Sequence, residues 1–531
     1  MENGLFDQFR IGDYLEHHAK SFPTRTAVCD TRSSLSYSEL AEAVDACARA
    51  MHAANILPGD RVAVLAPPRV EALITFLAAA KLGVIWLGLN PKYQLNEMDY
   101  IVSDAKPSLL FSIDTLEGRN YREDAQKLLR AHSSIRCSVG LESDDIWDVG
   151  FSDWLVEGSR KVQETEKFAA AIEAVPLSTP ALLVYTSGSS GKPKGVMLGQ
   201  RELLQRSRTQ NEQFPVTPYP CVLNPLPINH IGGMHFLTLY TFVGAGTIIL
   251  TEKFLPDEFI GAIKNKKINI LYILPTMFQI IAGRPEYSPE MLDNLQWFVF
   301  SGAAMPMEFV NQLFRSKCNV GLTYGMTETC GSVTYARKSG DNQEVLFNSI
   351  GAPTPPGEVR LMNETGALCK AGESGEIQVR AEFCMRGYFN RPEATAEAYT
   401  DDGWFRSGDI AKLREDGNIE FVGRISEMFK SGGYNVYPRE VELALEEHSD
   451  VQLAAVVGIP DPLYAEVGWA YIIPRDGVAL EADALKEWCA KRLANYKIPK
   501  HFVFESELPM LPVGKVDKAR LKRGHEETLA H

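Results

Sequence analysis

Tyr185-Thr186-Ser187-Gly188-Ser189-Ser190-Gly191-Lys192-Pro193-Lys194-Gly195-Val196 decides how this chain is read. Residues 181–184 ahead of it (Ala-Leu-Leu-Val) are a short apolar run of the kind that makes a buried strand. The ten residues after Tyr185 are all Thr, Ser, Gly, Lys or Pro. Gly188, Gly191 and Gly195 let the backbone turn sharply and bring amides close to a ligand. Thr186, Ser187, Ser189 and Ser190 offer hydroxyl donors, and Lys192 and Lys194 offer positive charge. Many donors, little bulk and positive charge suit a polyphosphate. The spacing is not that of a Walker A loop, because Gly188 is followed too soon by Gly191-Lys192-Pro193. A flexible linker has a similar composition, but linkers rarely follow a buried strand directly or carry two lysines around a proline.

Outward from that stretch, 531 residues are too many for one core and predict about two to four domains or subdomains. With 45% apolar and 23% charged residues, the chain has the composition of a soluble globular protein. A net charge of −14 argues against a broad nucleic-acid or anionic-membrane footprint while leaving room for a local basic pocket. Nine cysteines without a Cys-x-x-Cys pair point to reduced thiols in the cytoplasm, not to a disulfide frame or a zinc site. The first residues lack the pattern of a secretory signal, and the last three are not the peroxisomal Ser-Lys-Leu. The most apolar stretch, 72–89, is interrupted by Lys81 and Gly83 and predicts a helix followed by a strand, not a membrane span.

Strand and helix patterns alternate from about residue 27. Ser38 is the expected cap of a helix carrying Leu40, Val44, Cys47, Ala48 and Met51 at three- and four-residue steps. Strands are expected at 61–65 and 83–89 with a helix at 70–81 between them, which implies a parallel sheet covered on both faces. After the loop come a helix at 231–243, a strand at 247–250, a helix from 256, a strand at 268–273, a helix from 275 and a strand at 297–300. From about Val345 short strands with Gly/Pro turns predict a small β-rich subdomain. Beyond about residue 424 the expected elements are a helix at 438–448, strands at 451–459 and 469–474, and a helix at 484–494.

Several side chains have the chemistry of a nucleotide site. Ser301-Gly302-Ala303-Ala304-Met305-Pro306 follows a buried strand, where doubly wound sheets bind ligands, and its small residues let a flat ring lie on the backbone. In Tyr324-Gly325-Met326-Thr327-Glu328-Thr329, the tyrosine can stack on adenine and the threonine can bond a phosphate. Glu328 can hold a phosphate-bridging Mg2+. Asp409, in a Gly-punctuated loop at 403–409, can accept ribose hydroxyls. His230 ends an apolar segment and leads into a helix, a place where a lone histidine is commonly a satisfied core or cap residue.

These motifs, with 423–435 and 511–518, stand in the order of the adenylate-forming superfamily, which the chain resembles over nearly its whole length. That family includes acyl-CoA synthetases, luciferases and nonribosomal peptide adenylation domains. The resemblance implies an α/β fold: a large N-terminal domain (1–423) of doubly wound mixed sheets plus a small β subdomain, and a smaller mobile α+β domain (424–531). It implies an ATP- or AMP-binding set of Thr186, Ser187, Gly188, Ser189, Ser190, Gly191, Lys194, Gly302, Ala303, Ala304, Thr323, Tyr324, Gly325, Met326, Thr327, Asp409, Arg424 and Lys515. Glu328 is the implied Mg2+ ligand. Lys515 is the implied catalytic lysine, with His230, Thr186, Lys194 and Glu328 also in catalytic roles. The acid pocket falls on His230, Ile231, Gly232, Gly233, Met234, Gly302, Ala303 and Thr323. Gly432 and Gly433 lie in a strand that, with Lys430 and Ser431, borders the coenzyme A tunnel. The hinge position falls on Ser426, where the family usually has Asp or Lys.

The implied reaction joins a carboxylic acid to ATP, releasing pyrophosphate, and then passes the acyl group from AMP to a thiol. Coenzyme A is the expected thiol, because the chain ends soon after Lys515. Asn229-His230-Ile231 also lacks the Asp that an amino-acid adenylation domain would use for the substrate amine. A luciferase shares these motifs, which do not separate the two. A ligase serving a carrier protein and a non-catalytic nucleotide sensor stay open, as does a homodimer; a sensor would typically have lost Glu328 or Lys515. Space left by Gly232 and Gly233 predicts a bulky aryl, alicyclic or medium-chain acid.

Overall fold

The computed structural model describes residues 5–143, 145–161, 165–186, 192–340, 342–475, 477–510 and 516–529. The loop at Ser187, Gly188, Ser189, Ser190 and Gly191 and the lysine at Lys515 lie outside them.

The helix Val70–Leu82 shows how sequence builds the core. It is apolar around its circumference and buried along its length, and Gly83 closes it at φ +71°, a left-handed conformation that suits glycine. That cap is why the next strand starts at Ile85–Leu89 and not at residue 83. Lys81, which breaks the apolar run, is buried with its ammonium bonded to Glu16 (2.9 Å) and Asp45 (2.5 Å). A buried lysine needs such partners. Among the described residues, no helix is long and apolar enough to cross a membrane.

Helices and strands of this kind make a seven-stranded sheet in the order Lys194–Gly199, Pro180–Thr186, Ile85–Leu89, Arg61–Leu65, Leu109–Ser112, Cys137–Gly140, Val149–Gly150. All neighbours are parallel except the first pair, a hairpin. A second sheet of five strands runs Ile270–Ile273, Trp297–Ser301, Asn319–Met326, Gly331–Arg337, Ala352–Pro353, its first three strands parallel. A third joins Cys221–Asn224 and Thr247–Leu250 to Thr26–Cys29 and Ser34–Ser36. The small β subdomain is the antiparallel sheet Glu358–Met362, Ser374–Arg380, Phe405–Leu413, Ile419–Arg424. The C-terminal sheet is built on the long hairpin Val451–Asp461 and Ala465–Pro474 and has its own core around Phe429, Val441, Val456 and Ile472.

The structure corrects several boundaries. Ser36, not Ser38, caps the helix Tyr37–Ala53: its hydroxyl accepts from Glu39 N while the Glu39 carboxylate accepts from Ser36 N, a reciprocal capping box. The C-terminal hairpin extends beyond the apolar runs 451–459 and 469–474, because pairing carries through polar residues out to Asp461 opposite Ala465. The last predicted helix is shifted to Ala482–Ala490, where the chain tightens as Arg492 N and Leu493 N both bond to the Cys489 carbonyl. The helix from 438 stops at Glu446, and the strand predicted from 268 begins at Ile270.

The largest difference is at 231–243. There, Gly232–Leu239 is a π-helix, followed by one α-helical turn, Tyr240–Val243. The Gly233 carbonyl accepts from Asn224 Nδ2 (3.1 Å) and Thr238 Oγ1 (2.8 Å), so a polar group outside the usual α pattern is still satisfied.

Candidate active site

The hairpin Pro180–Thr186/Lys194–Gly199 places Thr186 directly opposite Lys194. Three contacts from distant sequence hold its base. The Tyr185 hydroxyl donates to Asp104 Oδ2 (2.7 Å), Arg391 donates to the other oxygen of Asp104 (2.6 Å), and the Tyr100 hydroxyl donates to the Pro193 carbonyl (3.0 Å). Segment 386–389 runs along the outer edge, with Arg386 N bonded to Met197 O, Met197 N to Gly387 O and Phe389 N to Gly195 O. It lays the Tyr388 ring under Lys194, whose Nζ is 5.0 Å from the ring centroid. The Tyr388 hydroxyl donates to Glu328 Oε1 (3.1 Å), and Met385 N donates to the Glu328 carbonyl (2.7 Å).

Glu328 sits in the turn between strands Asn319–Met326 and Gly331–Arg337. Thr329 Oγ1 ties the turn, donating to Gly331 O (2.7 Å) and accepting from Met326 N (3.1 Å). Gly325 is required there, since a Cβ would lie 1.9 Å from the Gly331 carbonyl oxygen. Thr327 is buried, and Thr323 is buried with its hydroxyl donated to Thr334 O (2.9 Å), which makes it a brace for the strand pair. Burial pushes the Glu328 carboxyl above its ordinary pKa, while the Tyr388 hydroxyl and the charge of Arg424 act in the opposite direction.

Tyr324 donates its hydroxyl to Asp409 Oδ2 (2.6 Å), and Arg424 Nε lies 3.0 Å from Asp409 Oδ1. Asp409 is not in a loop, as its glycines suggested. It lies within strand Phe405–Leu413, opposite Arg424 of Ile419–Arg424, and is 1% exposed. Its charge is the largest influence raising the Arg424 pKa; burial, then Asp409, raises that of the Tyr324 phenol. Lys194, Glu328, Tyr324, Asp409 and Arg424, from well-separated parts of the sequence, thus meet through direct contacts or at one remove.

His230 is half-buried, with Nδ1 accepting from Gly232 N (3.1 Å). Ile231 and Met234 are in the core, while Gly302 and Ala303 are exposed and Ala304 half-buried. The inference of space from Gly232 and Gly233 is corrected. A Cβ at Gly233 would lie 2.4 Å from the Pro227 carbonyl oxygen, and one at Gly232 would touch His230 Nδ1 at 3.2 Å. These glycines let the backbone pack against itself.

At the junction, Ile425 N bonds to Gly408 O, and Glu427 N and Met428 N both bond to Arg424 O, leaving Ser426 exposed in a turn. Lys518 bonds Glu427 (2.6 Å) and Glu442 (2.7 Å). Gly432 and Gly433 are not in a strand: they are the exposed two-residue turn joining Phe429–Ser431 to Tyr434–Val436, at φ +58° and +87°. Two positive φ angles in a hairpin turn suit a Gly-Gly pair. Lys430 N bonds to Glu466 and Gly432 N to Tyr464 O, so this hairpin is anchored within the C-terminal unit and not in the Glu328 group.

Sequence reasoning missed Tyr388, Asp104 and Arg391. No local pattern marks them, because each acts through a partner at least 60 residues away. Among the described residues, no group of three or more His, Cys, Asp or Glu side chains could hold a metal. Glu328 alone still fits Mg2+, which commonly takes one or two carboxylates and completes its shell with phosphate oxygens and water.

Residues 15–389 match the family described as AMP-binding enzyme, and 440–515 match the AMP-binding enzyme C-terminal domain. The chain is 32% identical to a feruloyl-CoA synthase of an Amycolatopsis species over 513 residues, covering 97% of this chain and 98% of that one. It is 30% identical to the indoleacetate–CoA ligase of Aromatoleum aromaticum, covering 96% of each. It superposes on the o-succinylbenzoate CoA synthetase of Bacillus subtilis in complex with its acyl-adenylate intermediate. That match has TM-score 0.80 and 25% identity, covering 96% of this chain and 97% of that one. The chain belongs to the AMP-binding enzyme family, among the acyl-CoA synthetases of the adenylate-forming superfamily.

Proposed function

We propose that this protein is an ATP-dependent acid–CoA ligase that converts a carboxylic acid and Mg-ATP to an acyl-adenylate and pyrophosphate. It then transfers the acyl group to coenzyme A and releases AMP. The observation that carries the reading is the joining of Lys194, Tyr388 and Glu328 to one side and Tyr324, Asp409 and Arg424 to the other. That arrangement offers a cation and hydroxyls for phosphates, a carboxylate for a metal, an aromatic ring for adenine and a buried carboxylate for ribose.

In this reading Thr186 and Lys194, with the loop 187–191, hold the phosphates, and Lys515 offsets the charge that develops as the acid attacks the α-phosphate. Glu328 holds Mg2+, which neutralises phosphate charge when bound. Tyr324 and Gly302–Ala304 (302–304) flank adenine, and Asp409 accepts from the ribose hydroxyls. Arg424, half in water beside Asp409, contacts ribose or phosphate. His230 borders the acid carboxylate. Residues 424–531 turn as a unit about Ser426, exchanging Lys515 for the Lys430–Gly433 hairpin (430–433) at the thioester step. Their separate core, around Phe429 and Val456, supports that division. The names of the relatives favour an aryl acid over a short one, with alicyclic and medium-chain acids next.

Product analysis with Mg-ATP and a panel of acids, with and without coenzyme A, tests the reading. AMP, pyrophosphate and acyl-CoA are expected together. Adenylate without coenzyme A turnover would replace coenzyme A with a carrier-protein thiol, and no nucleotide turnover with any acid would overturn the ligase assignment.

A further inference from the structure

The helix Gln200–Gln213 buries a side chain that the reaction described above does not use. Arg206 is 0% exposed. Its Nη1 donates to the Ser332 carbonyl (3.1 Å), and its guanidinium lies 3.9 Å from the Phe383 ring centroid. Nε and Nη2 have no partner, and no described carboxylate lies within ion-pair distance. An arginine so placed is normally paired, because a buried uncompensated charge is strongly unfavourable. Burial lowers its pKa accordingly.

It has unsatisfied company. His235 is also fully buried, its ring close to the Arg206 backbone but with neither nitrogen at good hydrogen-bond geometry, and burial pushes it down to about 3, so its ring is neutral beside the guanidinium. The hydroxyls of Ser332, Tyr335 and Tyr272 are buried together, with Ser332 facing both phenols and Ser301 facing Tyr272, and none has a partner at good hydrogen-bond geometry. Each such group in a native protein calls for an explanation. Two unanswered guanidinium nitrogens among four poorly bonded groups in one place call for a shared one.

Their position supplies it. His235 is in the π-helix, five residues beyond His230. Ser332 is the cross-strand partner of Gly325, and Gly331 approaches His235 so closely that a Cβ would lie 2.7 Å from Nδ1. Tyr272 stacks on Phe236 (5.2 Å between centroids, 10° between planes) and faces Ser301, the residue before Gly302. The cluster therefore backs onto all three segments expected to surround the acid: 230–234, 302–303 and 323–326.

We propose that Arg206 and His235, with the Ser332, Tyr335 and Tyr272 hydroxyls, form the far end of the acid site and bind a second oxygen function of the substrate. The proposal rests on the ligase reading and narrows it. The preferred acid carries a carbonyl, phenol or carboxylate oxygen remote from the carboxyl being activated. Arg206 is the specificity-determining donor, and an acid with a hydrocarbon end leaves it unanswered.

The test uses full-length enzyme and matched acids: 3-phenylpropanoates bearing 4-hydroxyl, 4-carboxylate or 4-methyl, and octanedioate against octanoate. For wild type, the better oxygenated acid is expected to exceed its hydrocarbon match about tenfold or more in kcat/KM, because a buried donor left unpaired penalises the analogue. Arg206→Met should collapse that ratio towards one, and His235→Phe should reduce it. Ligand-free Arg206→Met should melt at a higher temperature than wild type, as expected when a site held for function is relieved of an unpaired charge. Preference for the hydrocarbon member in every pair would overturn the proposal. So would an equal loss on both members of a pair in Arg206→Met, or a lower melting temperature for that variant. If no acid is turned over, the ligase reading fails by itself. Calorimetric binding of the same pairs to wild type and Arg206→Met then decides the subsite: tighter binding of the oxygenated acid, lost in the variant, supports it, and equal binding overturns it.

Discussion

The group around Glu328 and the group around Arg206 lie on either side of one hairpin turn, and they handle buried polarity in opposite ways. In the first, Asp409 is fully buried and answered twice, by the Tyr324 hydroxyl and the Arg424 guanidinium, while Tyr388 serves Glu328. In the second, an imidazole and three hydroxyls are buried with only poorly aligned partners, around a guanidinium with two nitrogens unanswered. In the proposed ligase, a closed network fixes geometry for chemistry repeated in every cycle. In the proposed subsite, an open one leaves donors free for a substrate oxygen.

Changes to the closed group should do the most damage. Lys515→Ala should lower the adenylation rate about 10²–10³-fold or more, the scale for losing a charge-stabilising group. It should largely spare thioester formation from preformed acyl-adenylate. Equal loss of both half-reactions, measured separately, would deny Lys515 its role or the alternation of the two units. Glu328→Gln keeps the shape and the contact with Tyr388 but removes the charge. Pyrophosphate release at saturating ATP and moderate Mg2+ should fall about 100-fold and recover in part as Mg2+ is raised. A wild-type rate would remove Glu328 from the nucleotide site.

Asp409→Asn breaks the pair with Arg424. The KM for ATP should rise about tenfold, the cost of a hydrogen bond to a charged group, and the melting temperature should fall. Since Arg424 is about half-exposed, water softens the loss of stability. If this substitution stabilised the protein, the contrast between the two groups would break.

The smallest effect belongs to the open group. The unfolded chain protonates a histidine near pH 6.5, while folded His235 does so at about 3. Between those values the unfolded state binds more protons, so folding stability rises with pH across that window. His235→Phe should remove up to about 2 kcal/mol of the stability lost by wild type between pH 6.5 and 5, read from denaturation at the two values. His18, pushed down to about 4 by burial, gives a slope of the same sign in both proteins, so only their difference is diagnostic. Identical pH slopes would mean that His235 is not buried neutral.

Much of this was legible in the chain. The strands at 61–65 and 247–250 follow from short apolar runs, and the structure places them at those residues. The polar, glycine-rich stretch at 186–195 and the segment 324–329 carry the family resemblance because local composition itself supplies their donors and charge, and the family match covers both. Where a reading failed, the deciding force was not local. Gly233 looked like room for substrate and proved to be room for the Pro227 carbonyl. Arg206 had a faint signal: it falls on the stripe of Leu203, Ser207 and Gln210 that its helix buries, at three- and four-residue spacing. In a sequence, an arginine on such a stripe looks like an imperfection in the pattern.

The sequence by itself determined that this protein alternates strands and helices, handles a nucleotide and belongs with the adenylate-forming enzymes. Those properties are written in periodicity and in short motifs whose residues act side by side. Only the tertiary structure decided that Tyr388 stands between Lys194 and Glu328, that Asp409 is clasped by Tyr324 and Arg424, and that Arg206 is buried with no ion-pair partner among the described residues. Burial and pairing are relations between residues far apart in the chain, and a chain has neither until it folds.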